Sequence, residues 1–273
     1  MTPCASCGAD RGHLLGCEFS TITLAPAAPP LSLDEPEQDT SRARALGVPI
    51  ALGIATILGL TAPGGFLLRI LFGMWLHEAG HALASWVCGV IAAPLPWLTL
   101  GGESRSPFFI LLLFGGVGAL GWRGWKNESR RLLILAASLA GVLLLGVLVP
   151  FRHATTFIVF SGDGGAMVLG TAFMLAAMML PDGWRIARGG LRWGYLVIGA
   201  GAFIDAFITW VRSWRDVAEL PFGRSESSGL SDALKLVDGS GWSETFLIRS
   251  YLALGIVCLA VLAGVTARQL TRR

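Results

Sequence analysis

Apolar residues fall into seven long blocks, at about 47–62, 65–90, 107–122, 132–150, 154–180, 191–211 and 248–267, separated by short polar connections. Each block approaches the roughly 20 residues that a helix needs to cross the hydrocarbon of a bilayer. The first is short and ends at Pro63-Gly64-Gly65, so a half-span or an oblique helix is expected there. The pattern therefore predicts an all-α polytopic membrane protein with six to seven transmembrane helices. Ahead of it lies a polar stretch, 1–45, Pro-rich from Pro26 to Pro36, which reads as a separate tail and linker to the domain at 46–273.

Two connections depart from plain loops. Residues 91–106 are apolar but broken by Pro94 and Pro96 and closed by Gly101-Gly102. They are too short to span and too apolar for a solvated loop, which predicts a short re-entrant or β segment after the second block. Residues 214–247 contain a Leu220-Pro221-Phe222-Gly223 turn. A short helix is expected next, capped by Ser231, running through Asp232–Val237 and stopped by Gly239.

Composition agrees with the pattern. Of 273 residues, 53% are hydrophobic and only 14% charged, against about 25% charged in a soluble domain. The 36 glycines suit helices that pack closely in lipid. A net charge of +3, with the arginines spread over several connections, gives no surface for nucleic acid. The first twenty residues lack the basic start and apolar run of a cleavable signal. Arg123, Lys126, Arg130, Arg131, Arg188 and Arg192 fall on one side of the span pattern, which the positive-inside rule places in the cytoplasm. The expected location is a multi-pass protein of a bacterial-type inner membrane or plasma membrane, with the bilayer itself as a partner.

The candidate chemistry sits inside the second block, at His77-Glu78-Ala79-Gly80-His81. On a helix the two histidines lie one turn apart, roughly 40° around the axis, so both imidazoles can face one metal ion. Glu78, roughly 100° from His77, then lies beside the metal and suits a general base. Two histidines and a carboxylate are costly in a membrane span and mark function more often than packing. A catalytic zinc site takes three protein ligands and leaves a position open. His77 and His81 supply two. The third is expected from an intramembrane carboxylate: Asp163, flanked by glycines in Ser161-Gly162-Asp163-Gly164-Gly165, with Asp182 and Asp205 as alternates.

Met74-Trp75-Leu76-His77-Glu78-Ala79-Gly80-His81-Ala82-Leu83 resembles the active-site helix of the site-2 protease family of intramembrane zinc metalloproteases. In that family an apolar hairpin-like segment follows the helix, and a later helix brings an aspartate of a DG motif to the zinc. Residues 91–106 match the first feature in character and Asp163-Gly164 the second in kind, with Asp182-Gly183 a rival match. The resemblance implies a zinc metalloendopeptidase that hydrolyses a peptide bond in a membrane-embedded protein substrate, with Glu78 as general base and zinc on His77, His81 and an aspartate. Different classes remain open: a non-catalytic membrane scaffold or sensor of the same fold, and a metal-ion transporter. Glu78, which metal retention does not need, speaks against the first. Histidines confined to one span speak against the second.

The tail holds a second constellation, Cys4-x2-Cys7-x5-His13-x3-Cys17. Three thiolates and an imidazole are the composition of a closed structural zinc site, so a second, structural Zn2+ is a candidate cofactor. The alternative is a tail with incidental cysteines. Cys88 and Cys258 lie in spans and read as packing residues.

Overall fold

A computed structural model describes residues 37–180, 184, 190–225 and 229–271. All seven apolar blocks are helical. The chain runs α1 (Glu37–Gly59), α2 (Ala62–Leu68), a π-helical turn (Arg69–Gly73), α3 (Met74–Val87), β1 (Val90–Leu95), β2 (Leu98–Arg105), α4 (Pro107–Lys126), α5 (Arg130–Leu148), α6 (Phe151–Met179) and α7 (Leu191–Arg215). Two short strands follow, β3 (Arg224–Ser225) and β4 (Gly229–Leu230), then α8 (Asp232–Leu234), a π-helical turn (Lys235–Gly239) and α9 (Glu244–Thr271).

Six helices among the described residues are long and apolar enough to cross a membrane: α1 from Arg42, α4, α5, α6, α7 and α9. The first block, expected to be short, belongs to a helix of 23 residues, because the helix continues N-terminally through the polar Glu37–Arg44. The HExxH block is one helical run from Ala62 to Val87, interrupted by the π turn. Thr61 starts it: its side chain accepts from the Gly64 amide, and Pro63 occupies the first turn, where no amide is needed. A π turn inserts one residue into the helical repeat and rotates the residues beyond it about the axis. Here it lies directly before the turns of α3 that carry His77 and His81.

The core is built by α3, α6, α7 and α9. Met167, Met174, Phe203, Trp210, Leu247 and Tyr251 are buried at its centre. The α4–α5 pair packs outside this core and buries few of its side chains, as helices facing lipid would. The helices α3 and α6 approach as closely as backbones allow. A methyl group on Gly165 would stand 2.5 Å from the Gly80 Cα, and one on Gly80 would strike the Ser161 carbonyl. The glycines around Asp163 thus serve close approach, as expected. They leave the helix unbroken from Phe151 to Met179.

Residues 90–105 form the β alternative of the segment expected after α3. Gly89, at φ +78°, turns the chain out of the helix. The strands pair antiparallel, Leu95 opposite Leu98 and Pro94 opposite Thr99, with an irregularity between Val90 and Ala92. Three side chains join the hairpin to the helices. The Trp86 indole donates to the Ala92 carbonyl at 2.8 Å. Arg105 donates from Nε to the Cys88 carbonyl at 3.0 Å and from its guanidinium to Gly146 and Val149 at the end of α5. Thr99 reaches α3 at Glu78.

The connection 216–243 carries the expected short helix. The Ser231 hydroxyl accepts from the Leu234 amide, and Leu236 is fully buried. Residues 1–36, which include Cys4, Cys7, His13 and Cys17, lie outside the described residues, as does Asp182.

Candidate metal centre

The helical register of α3 turns His77 and His81 toward α6, and each ring is held from behind. His77 Nδ1 lies 2.8 Å from Asp163 Oδ1. His81 Nδ1 lies 2.8 Å from the Ile158 carbonyl oxygen. A carboxylate and a carbonyl can only accept, so Nδ1 carries the hydrogen in both rings. Both Nε2 atoms are then lone-pair donors to a metal, and they face each other at 3.1 Å. Asp232 completes the group: its Oδ2 is 2.8 Å from His81 Nε2 and 3.1 Å from His77 Nε2.

Three electron-rich atoms at these distances repel one another unless a cation lies among them, a proton or a metal ion. Two imidazole nitrogens and a carboxylate oxygen are a donor set that suits a transition metal. Bonds of about 2.0–2.1 Å at tetrahedral angles set ligand atoms about 3.3 Å apart, close to the spacings observed. His77, His81 and Asp232 could hold a metal ion. The surroundings fit as well. Asp163 and the Ile158 carbonyl fix both rings in the way outer partners fix metal-ligating histidines. Lys235 Nζ lies 3.1 Å from Asp232 Oδ1 and leaves Oδ2 to the histidines.

Asp163 was expected on the metal. The structure seats Asp232 among the converging atoms and places Asp163 behind His77, its second oxygen accepting from the Trp210 indole at 2.9 Å. The close crossing of α6 over α3 brings Asp163 to the far edge of the imidazole. Asp205 lies apart, on α7, 3.5 Å from Arg69 in an ion pair beside Gly73. Asp232 is the member that sequence reasoning missed; there it enters only as the first residue of the short helix expected in the 214–247 connection.

Glu78 is buried in α3, only 6% exposed. Its Oε2 accepts from the Thr99 hydroxyl of β2 at 2.7 Å. Glu78 and the three converging residues line one cavity of about 540 Å³. Its walls come from the start of α6, from α8 and from β2, which contributes Thr99, Gly101 and Gly102. Comparison with protein-family models, with curated proteins and with solved structures finds no match to the chain.

Proposed function

We propose that the protein is an intramembrane zinc metalloprotease, similar in its active-site helix to the site-2 proteases, that cleaves a peptide bond in a membrane-embedded protein substrate. The observation that carries this reading is the pair of Nε2 atoms converging on Asp232 Oδ2, with a buried glutamate one residue from His77 in the same cavity. A bilayer setting is supported by the six long apolar helices, and an inner or plasma membrane is the setting we propose.

His77, His81 and Asp232 would hold the zinc, which supplies Lewis acidity toward water and the scissile carbonyl. Glu78 takes a proton from the attacking water and returns it to the leaving amine nitrogen. Asp163 and the Ile158 carbonyl hold the Nδ1 protons and so keep both Nε2 atoms on one point. A substrate helix must unwind before cleavage, because its carbonyls are engaged in helical hydrogen bonds. An extended segment can then pair with the hairpin. β2 is the suitable edge: it walls the cavity, whereas β1 contains Pro94, which has no N–H to offer.

The direct test is Glu78→Gln. Cleavage of a transmembrane test peptide in detergent micelles should fall by about 10²–10⁴-fold, with zinc content undiminished. Cleavage at the wild-type rate would end the protease reading.

A further inference from the structure

We propose that Thr99 is a positioning residue for Glu78, so that the strand walling the substrate cavity also sets the aim of the general base. The inference rests on the protease reading above and adds to it a residue outside the HExxH helix.

A glutamate side chain has three rotatable bonds, and a base that wanders among rotamers spends little time within reach of its proton. Backbone geometry fixes where Glu78 starts on α3 but not where its carboxylate ends. The described donor to that carboxylate is the Thr99 hydroxyl, 21 positions along the chain and on another element, at 2.7 Å from Oε2. The same hydroxyl lies 3.0 Å from the Glu78 backbone oxygen. Its one hydrogen therefore serves a single residue, through the base and through the helix that carries it.

An alternative is that Thr99 merely docks the hairpin. The other anchors argue against it. Trp86 to Ala92, and Arg105 to Cys88, Gly146 and Val149, tie both strands down without Thr99. The register puts Thr99 opposite Pro94, beyond these anchors toward the turn, where the hairpin meets the buried carboxylate. Hairpin and base thus share one contact, and a substrate strand laid along β2 would lie beside the residue that holds the base.

The experiment compares wild type, Thr99→Val, Thr99→Ser and Glu78→Gln in detergent micelles, using a quenched-fluorescence transmembrane peptide. Zinc content is measured on each. Valine keeps the shape and removes the donor; serine keeps the donor. The expected result for Thr99→Val is a fall in kcat of about 10- to 100-fold, the scale of a lost hydrogen bond to a charged group, with KM and zinc content little changed and kcat largely restored in Thr99→Ser. Equal impairment of the valine and serine variants, or a loss confined to KM, would overturn it. A second readout needs no turnover. The infrared carboxylate band that disappears in Glu78→Gln should shift in Thr99→Val and return in Thr99→Ser; an unmoved band refutes the contact. A wild-type chain that cleaves nothing would sink the protease reading while the infrared comparison still judges the Thr99–Glu78 bond.

Discussion

Gly162 is the place where one added methyl group should undo the proposed metal centre. An alanine there would set its Cβ 2.6 Å from His77 Cε1, 2.6 Å from His81 Nε2 and 2.8 Å from His77 Nε2. Ordinary contact begins near 3.4 Å, so the rings must retreat by about 0.8 Å or α6 must back away from α3. A gap of that size along the helix pair forfeits roughly a quarter to a half of each dispersion contact. Retreat of the rings is no easier, because metal–ligand bonds tolerate only about 0.2 Å and both Nδ1 hydrogen bonds are already 2.8 Å long. Zinc affinity should fall by at least the 10- to 100-fold typical of losing a ligand's supporting partner. Chelator competition in detergent micelles measures it, with helical content followed by circular dichroism. Gly118→Ala is the control, since a methyl group there meets nothing within 4 Å. Wild-type zinc affinity in Gly162→Ala, at unchanged helical content, would show that the two imidazoles do not face α6 as described.

Two further expectations concern the same centre. Asp232→Asn should lose more zinc affinity than Asp163→Asn, since the first change weakens a proposed metal ligand and the second only the partner of His77, worth about 10- to 100-fold; the reverse order, by the same titration, would return the third position to Asp163. Replacing residues 93–98 with a flexible Gly/Ser run should abolish cleavage of the transmembrane peptide while zinc stays bound, and unaltered cleavage would remove the hairpin from substrate binding.

Much of this architecture was legible in the order of residues. Seven apolar blocks became seven helical runs, because length and hydropathy alone decide such elements. Pro94, Pro96 and Gly101-Gly102 marked a segment that could be neither span nor loop, and it folds as a hairpin. His77 and His81 share a face because helical spacing requires it. The aspartate among the converging atoms was not legible. Asp232 meets His77 from 155 positions away, and no local period reports such a meeting. The expectation also sought carboxylates at membrane depth, which favoured Asp163 over a residue in a polar connection. A usable signal was present in Ser231-Asp232-Ala233-Leu234-Lys235-Leu236. A serine cap fixes the helix start, and Leu236, four residues on, shares a face with Asp232. Burying that leucine carries the aspartate inward. The π turn at Arg69–Gly73 left no such trace.

The chain order of the three converging residues has a consequence for biosynthesis. Asp232 follows His81 by 151 positions, which at about 5–20 residues per second is a delay of roughly 8–30 s. During that interval a nascent chain presents both histidines with the third member of the group not yet made. It acquires the complete donor set only after α7 has been synthesised and the connection to α9 has folded back. On the proposed protease reading, a chain whose third candidate ligand is made so late would be unable to cut its neighbours while it is still being synthesised.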